Sequence, residues 1–296
     1  MVMRVEPDYL TRAVVKTPAI RLAIGSFKDL TSEGLIRHDT DPVAGRLLAG
    51  ALSSAALMSV LLDDKEKYSI RIDYPGPVRG LLVDANADGR VRGLIRNPHV
   101  MESADSVEVA CGDADATVAV TRSCEGRILN SGEVRTAFIM PSAALGYFLS
   151  VSDQVESEIR CEIQLQPDPK APVRSAFGVL IQALPGCDAE EFDGIRNRLL
   201  APEAGKILQD AMLLADEKLR TLLMWLLATA EAPEYATYPV APAKFSCNCS
   251  RERMRDMALQ MLGRDDLRKL FSENPNPAVR CQFCRNEYHL SAEDVK

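Results

Sequence analysis

Histidine and aromatic residues are scarce in this chain of 296 residues, which has 3 histidines, 1 tryptophan and only 5% aromatic residues. So few histidines leave little material for acid–base catalysis. No serine–histidine–aspartate set, Walker phosphate loop or dinucleotide-binding glycine pattern can be read from the sequence. The sequence therefore predicts a protein that is not an enzyme.

Long apolar segments are also missing. The most apolar run without charge, Leu47 to Leu62, is shorter than the roughly 20 residues that a membrane-spanning helix needs, and it predicts a buried helix instead. The start of the chain, MVMRVEPDYLTRAV, lacks the basic and then apolar run of a signal peptide, because Glu6 and Asp8 interrupt it. We therefore expect a cytoplasmic protein with no membrane partner.

An excess of positive charge is absent as well. The formal net charge is −7, so the molecule as a whole should repel polyanions, and we expect no nucleic-acid partner. Hydrophobic residues make up 47% of the chain and charged residues 26%, as in an ordinary soluble globular protein. The length suggests about two folded units.

Cysteine, in contrast, is plentiful and clustered. In a cytosolic chain the eight cysteines should be reduced, so clustered thiols indicate metal or redox chemistry. A C-x-C pair in FSCNCSRER and a C-x-x-C pair in RCQFCRNEYHL are separated by 31 residues. Zinc prefers four thiolates in a tetrahedron, and two local pairs joined by a folded insert can supply them. The sequence predicts one Zn²⁺ per chain, and its ligands would be Cys247, Cys249, Cys281 and Cys284.

The residues around these pairs predict a small folded tail. Short strands, AVR and EYHL, should flank the C-x-x-C pair, and a helix should begin near Ser250 with Met254, Met257, Met261 and Leu262 on one apolar face. A tail of about fifty residues rarely holds a core unaided. Structural zinc contributes about 10–16 kcal/mol, so loss of the metal should unfold the tail.

Upstream, strands and helices are interspersed without regular alternation, which favours an α+β fold class with packed β-sheets and helices. Patterns predict a helix from Pro42 to Leu62, a second helix after Pro141 and strands in YSIRIDY, ATVAVTR, SEIRCEIQL and AFGVLIQAL. The segment VRGLLVDANADGRVRGLIRNP resembles a calcium loop in part. Ile95 stands where that loop needs a glutamate, so we expect a β-hairpin.

The chain divides into three predicted regions. These are an α+β core domain (1–186), a helical linker and tether (187–241) and a zinc-binding redox-switch domain (242–296). The linker has apolar residues at helical spacing, whose face should lie against another domain or chain: Leu208, Met212, Leu219, Leu222, Leu223, Leu226 and Leu227. The proline-containing EAPEYATYPVAPAKF should form an extended tether.

Three other interpretations of the cysteine tail are open. The four thiols could form a constitutive zinc clip, although thiolates held by zinc can still be oxidised. A mild basic bias, eight basic against five acidic residues between Ser250 and Arg285, would suit nucleic acid, but interleaved aromatics are lacking. Cys281 and Cys284 could form an oxidoreductase pair, but the usual βαβ context is absent. His289 is an alternative ligand, although four cysteines already complete the set.

With these motifs placed, the sequence resembles the redox-regulated holdase chaperones of the 33-kDa heat-shock protein family. The resemblance covers nearly the whole chain. Its most specific parts are FSCNCSRER, the CQFC pair followed by Tyr288, GLLVDANADGRVRGLIRNP, GVLIQALPG and DPVAGRLLAGAL.

The resemblance implies an ATP-independent chaperone that is inactive while the four cysteines hold zinc. Oxidants would form disulfides within each pair, Cys247 with Cys249 and Cys281 with Cys284. The family likeness further implies that zinc leaves, the tail unfolds and the linker loosens. An oxidised homodimer then binds unfolding client proteins and protects them from aggregation.

Overall fold

The computed structural model describes residues 7–231, 233–274 and 277–291. Met1–Glu6, on which part of the signal-peptide argument depends, lies outside these ranges, as do the last five residues of the predicted 242–296 domain. The chain forms two compact units, Met1–Phe245 and Ser246–Lys296.

Strands and helices alternate irregularly, and the α+β fold class is confirmed. The strands are β1 (Tyr9–Val15), β2 (Ile20–Ser26), β3 (Glu66–Asp73), β4 (Gly80–Asn86), β5 (Arg90–Ile95), β6 (Ala116–Cys124), β7 (Arg127–Thr136), β8 (Ser157–Leu165), β9 (Val173–Ala183), β10 (Tyr235–Tyr238), β11 (Lys244–Phe245), β12 (Ala278–Arg280) and β13 (Glu287–His289). The helices are α1 (Lys28–His38), α2 (Pro42–Met58), α3 (Val107–Cys111), α4 (Pro141–Val151), α5 (Ala189–Leu200), α6 (Pro202–Gln209), α7 (Ala215–Leu227) and α8 (Arg251–Glu273), and Ser59–Leu61 adds a 3₁₀ turn after α2.

Two sheets build the first unit. The first sheet has the strand order β10-β1-β2-β9-β8, and all its pairs are antiparallel. The second has the order β11-β5-β4-β3-β6-β7 and is antiparallel except where β11 joins β5. The predicted strands at β3, β6, β8 and β9 are confirmed, and β4 and β5 form the predicted hairpin.

The predicted buried helix is confirmed as α2, which packs against strands of both sheets. Asp41 caps it, since its side chain accepts a hydrogen bond from the Ala44 amide at 2.8 Å. Among the described residues, Pro42–Leu61 is the one helical segment long and apolar enough to cross a membrane, and 94% of its most apolar stretch is buried inside the protein. This is the environment of a core helix.

The predicted linker contains three helices, α5 to α7, and these pack on the first sheet. Five of the seven predicted apolar positions are fully buried there: Leu208, Leu219, Leu222, Leu223 and Leu226. Met212 was predicted on the same face and is instead 68% exposed, because it lies in the turn between α6 and α7. The apolar face is therefore covered within the first unit, although the three-region division stays a prediction.

Polar contacts reinforce the packing of these helices. The Arg160 guanidinium on β8 donates to the carbonyl oxygens of Leu199 and Ala201 at the end of α5, each at 2.6 Å. The Trp225 indole on α7 donates to the Arg198 carbonyl oxygen at 2.9 Å. The helices are thus joined to the sheet and to each other at their ends.

The predicted tether is extended, and two short segments of it are strands that pair with the sheets of the first unit. Its YATY segment is β10, which pairs with β1 in a register that places Tyr238 opposite Arg12. Lys244 and Phe245 form β11 and pair in parallel with β5. Both ends of this segment are held in the sheets of the first unit.

The second unit consists of α8 and a two-stranded sheet, as predicted. Ser250 caps α8 by accepting a hydrogen bond from the Arg253 amide, and Gly263, with a φ of 77°, interrupts the helix. Its buried apolar core contains Ala258, Leu267 and Leu290. The predicted apolar face is correct only for Met254, since Met257, Met261 and Leu262 are exposed.

Candidate metal centre

The four predicted cysteines meet in the second unit, where their Sγ atoms all lie within 4.8 Å of one another. Cys247 and Cys249 come just before α8, whereas Cys281 and Cys284 lie between β12 and β13. A tetrahedral site with Zn–S bonds of about 2.3 Å has sulfur–sulfur edges of about 3.8 Å. The separations of 3.8 Å for Cys247–Cys281 and 3.3 Å for Cys249–Cys284 are close to that value.

Local hydrogen bonds shape the loop that carries Cys281 and Cys284. The Cys281 amide donates to the Asn286 carbonyl oxygen, and the Arg285 amide donates to the Cys281 carbonyl oxygen, both at 2.9 Å. Arg285 adopts a positive φ of 61°, which reverses the chain within a few residues. The strand pair β12–β13 then closes the loop, so both thiols lie on one short turn.

A second set of contacts places the C-x-C pair. The Ser250 cap fixes where α8 begins, directly after Cys249. The Arg253 guanidinium reaches back to the Asn248 carbonyl oxygen at 2.6 Å. The peptide between the two cysteines is therefore held by the first turn of the helix.

Burial of the thiols favours their neutral form. Cys281 and Cys284 are buried, and Cys247 and Cys249 are half-buried. Burial raises the pKa of Cys249 and of Cys284 above the ordinary thiol value. A soft divalent cation would offset this cost because it binds thiolates and displaces their protons. The donor set fits a metal such as zinc.

Tyr288 on β13 extends the site beyond the four cysteines. Its Oη atom lies 3.0 Å from Cys249 Sγ and 3.3 Å from the Cys249 carbonyl oxygen, to which it donates. The hydrogen bond with Cys249 raises the pKa of Tyr288 to about 12. The sequence motifs assigned this tyrosine no role. The one feature of the sequence that could have pointed to it is its position four residues after Cys284, on the strand that closes the loop.

The alternative ligand His289 is not part of the cluster. His289 is exposed, and its backbone carbonyl oxygen accepts a hydrogen bond from the Arg251 guanidinium at 3.1 Å. The calcium-like segment is a hairpin in which Asp84 forms an ion pair with Arg92 at 2.7 Å. Within the described part of the chain, the four cysteines are the only group of three or more potential ligands close enough to share a metal.

The remaining cysteines lie apart in the first unit. Cys161 packs against the core, with its thiol 3.5 Å from Ser54 Oγ, and burial raises its pKa to about 12. Cys111 is buried in α3, and burial raises its pKa to about 12 as well. High pKa values make these thiols poor nucleophiles at neutral pH.

Sequence comparison identifies relatives along the whole chain. The family model described as Hsp33 protein matches residues 8–291. The 33 kDa chaperonin of Geobacillus sp. strain WCH70 is 30% identical over 98% of this chain and 96% of its own length. The 33 kDa chaperonin of Enterococcus faecalis is also 30% identical, over 97% of this chain and 95% of its own length.

A solved structure has the same fold. The crystal structure of the 33 kDa chaperonin (heat shock protein 33 homolog) from Thermotoga maritima superposes with a TM-score of 0.81 at 22% identity. The superposition covers 97% of this chain and 95% of the other.

Proposed function

Since the chain belongs to the Hsp33 family of chaperones, we propose that it is a redox-regulated, ATP-independent holdase. In this proposal it binds unfolding client proteins in the cytoplasm after oxidation of the four-cysteine site. It acts as a chaperone and not as an enzyme, in keeping with the names of its relatives. The observation that carries the redox proposal is the convergence of four Sγ atoms within 4.8 Å.

In the reduced protein the four thiolates are proposed to hold one Zn²⁺. The bound ion would keep all four sulfurs deprotonated and would tie the start of α8 to the β12–β13 loop. Such a link matters because the second unit has few buried apolar residues of its own. Its fold should therefore depend on these sulfur ligands.

Oxidation by a hydroperoxide would remove the ligands in two steps. One thiolate sulfur attacks a peroxide oxygen, so an S–O bond forms while the O–O bond breaks, and the leaving oxygen takes a proton to become water or an alcohol. The second cysteine of the pair then attacks that sulfur, an S–S bond forms, and hydroxide leaves and becomes water. The sulfurs lose two electrons and the peroxide gains them.

We assign these disulfides to Cys247–Cys249 and Cys281–Cys284. Two sulfur–sulfur contacts in the reduced arrangement cross between the pairs, Cys247 to Cys281 and Cys249 to Cys284. Within each pair, however, only one or two residues separate the cysteines. The two thiols of a pair can therefore still meet and form a disulfide after the second unit has unfolded. Loss of the zinc ligands and unfolding of the second unit therefore both favour disulfides within each pair.

The client-binding surface is proposed to come from the helices α5 to α7. Their buried face contacts apolar residues of β1, β2 and β9, among them Val15, Leu22 and Ile181. Undocking of these helices would expose a contiguous apolar surface of the kind that unfolded proteins bind. In the proposal the oxidised protein is a homodimer, and neither nucleic acid nor membrane is a partner.

A light-scattering experiment tests this function. A chemically unfolded client is diluted into buffer with the zinc-loaded, reduced protein or with protein treated with peroxide at a mildly raised temperature, and released zinc is measured in parallel. We expect suppression of aggregation only after oxidation, together with zinc release. Equal behaviour of both forms, with zinc retained, would leave a constitutive zinc clip and would refute the switch.

A further inference from the structure

A cavity of about 450 Å³ lies in the first unit, between the strands β3, β6 and β7 on one side and α4 with the turn that follows it on the other. This volume is in the range of about 300–1,000 Å³ that small-molecule sites have. Part of the wall is apolar and consists of Val120, Phe148 and Val155. The rest is polar and carries charges of both signs.

Most polar side chains of the wall have no partner in the protein. Within the described ranges, no group hydrogen-bonds to the side chains of Tyr68, Asn130, Ser152, Asp153 and Gln154. Tyr68 is the most informative of them, because it is only 4% exposed and a buried hydroxyl is normally hydrogen-bonded. Burial raises the pKa of Tyr68 to about 12, so its hydroxyl keeps the proton and can donate it to a molecule in the cavity.

Two opposite charges also line this cavity without touching each other. Arg122 is on β6 and Asp153 is in the turn after α4. Burial raises the pKa of Asp153, and the charge of Arg122 opposes that effect, so the two groups interact electrostatically. Among the described residues, however, no cation lies within 4.0 Å of the Asp153 carboxyl group. A space between a cation and a carboxylate fits a ligand that carries both charges.

The cationic end of the cavity has more than one positive charge. The Arg122 Nε atom donates to the Glu66 carboxylate at 2.8 Å, and Glu66 also accepts from the Asp63 amide at 2.8 Å. This pairing orients the guanidinium and leaves its Nη1 atom without an acceptor in the described part of the chain. The charges of Arg122 and Arg21 both act on the Tyr68 hydroxyl. A carboxylate beside that hydroxyl is therefore stabilised although Glu66 offsets one of the charges.

The turn that carries Asp153 is fixed by hydrogen bonds. The Ser157 amide donates to Ser150 Oγ at 3.0 Å, and the Ser157 hydroxyl donates to the Val155 carbonyl oxygen at 2.7 Å. The Gln182 amide group in turn donates to Ser157 Oγ at 3.0 Å. Gln154 has a φ of 58°, a left-handed conformation that is uncommon outside glycine. A wall that is already ordered loses less conformational entropy when a ligand binds.

From this geometry we infer that the cavity is a binding site for a free α-amino acid with an apolar side chain. The carboxylate of the amino acid accepts hydrogen bonds from Tyr68 and Arg122, and its ammonium group donates to Asp153. Its side chain packs against Phe148 and Val155. A simple anion would meet the Asp153 carboxylate and a simple cation would meet Arg122, so a zwitterion is the class that satisfies both ends. The inference does not depend on the redox function, because the cavity lies in the first unit.

Three ligands with one carbon skeleton test the two charges separately. L-Leucine has both charged groups, isocaproate lacks the ammonium group, and isoamylamine lacks the carboxylate. Binding to the full-length, zinc-loaded, reduced protein is measured by ligand-observed NMR titration at millimolar concentrations, with L-methionine and L-phenylalanine as further probes. Leucine should bind at least about tenfold more tightly than either analogue, because each analogue lacks one set of charge-assisted hydrogen bonds.

Two conservative variants test the residues at the two ends. Asp153→Asn should weaken leucine binding at least about tenfold and leave isocaproate binding unchanged. Tyr68→Phe should weaken leucine and isocaproate alike, by about three- to tenfold, and leave isoamylamine unchanged. Asp113→Asn, at an exposed position, and Tyr147→Phe, on α4, are the matched controls and should bind all ligands as the wild type does.

Each outcome bears on the inference. Selectivity for leucine over isocaproate that is lost in Asp153→Asn and kept in Asp113→Asn supports it. The inference fails if none of the three amino acids binds the wild type at millimolar concentration, or if leucine and isocaproate bind equally well. A variant that loses all three leucine-like ligands to the same extent would show that its residue only shapes the cavity, and would overturn the role assigned to that residue.

Discussion

Cys247 and Cys281 are 34 positions apart in the sequence, and their Sγ atoms lie 3.8 Å apart. This separation is about the edge length of a zinc–thiolate tetrahedron. The contact joins the start of α8 to the turn after β12, the two parts of the second unit that carry its cysteines. Several properties of the protein should therefore depend on the sulfur cluster.

Replacement of one cysteine of the cluster should weaken metal binding. The fold of the second unit should then no longer respond to oxidant. In Cys284→Ser a buried sulfur is lost, and a hydroxyl is a poor zinc ligand, so zinc affinity should fall by at least about a hundredfold. Zinc content after dialysis against a competing chelator measures the effect. Cys124→Ser, at the end of β6, is the control and should retain zinc. Full zinc and normal switching in Cys284→Ser would refute the four-cysteine site.

Removal of the metal should unfold the second unit selectively. Besides the cysteines, the buried apolar residues in the described part of that unit are Met254, Ala258, Leu267 and Leu290, too few to offset the chain entropy of about fifty residues. After chelation, amide hydrogen exchange in α8 should become at least about a hundredfold faster. Amides of α2, in the large core of the first unit, should be unaffected and provide the internal control. Persistent protection of α8 without metal would contradict the proposed dependence.

If α5 is held less tightly on the sheet, the protein should become an active chaperone after milder oxidation. The Arg160 guanidinium donates to two carbonyl oxygens of the α5 end and pairs with Glu162 at 2.6 Å, and its side chain is only 16% exposed. Arg160→Met should destabilise the first unit by about 2–3 kcal/mol in urea unfolding. We also expect it to suppress client aggregation after milder oxidation than the wild type needs.

The control for that variant is Arg90→Met. Arg90 pairs with Asp88 on an exposed turn, so its loss should cost less than about 1 kcal/mol and leave the oxidation threshold unchanged. If Arg160→Met is destabilised but keeps the wild-type threshold, docking of α5 does not control client binding.

Patterns of local chemistry predicted much of the fold and the four cysteines that cluster in the second unit. The C-x-C and C-x-x-C pairs and the alternation in β3 were sufficient, because each depends on residues close together in sequence. The strand β2 escaped prediction because almost all its residues are buried, so it has no period-two pattern. The role of YATY as an edge strand depends on β1, a partner more than two hundred residues away.

The exposure of two methionines on α8 and the contact between Tyr288 and Cys249 could not be predicted either, because both depend on tertiary structure. Met257 and Met261 repeat at helical spacing, yet they are exposed, because the small second unit has few apolar residues for them to pack against. The contact between Tyr288 and Cys249 joins residues 39 apart, and it requires both the β12–β13 pairing and the α8 cap. Such a contact depends on tertiary structure and not on local pattern.

Ionisation of Asp8 should make the first unit less stable as the pH rises from about 4 to about 6. Asp8 accepts a hydrogen bond from the Leu30 amide at 2.9 Å, but burial dominates and raises its pKa from 3.8 to about 6. The folded state therefore holds this proton more tightly than the unfolded state does. The stabilisation is complete below the unfolded value and is lost as pH rises through the folded value.

Asp8→Asn isolates this contribution, because asparagine cannot ionise and its carbonyl oxygen can still accept from Leu30. Relative to the wild type, the variant should gain on the order of 1–2 kcal/mol between pH 4.5 and pH 7.5, since solvent screens part of the charge. Urea unfolding followed by fluorescence of Trp225, the single tryptophan, reports on the first unit at both pH values. Asp113→Asn, at an exposed position, should show no such gain. A pH-independent difference between Asp8→Asn and wild type would show that Asp8 does not bind this proton in the folded protein.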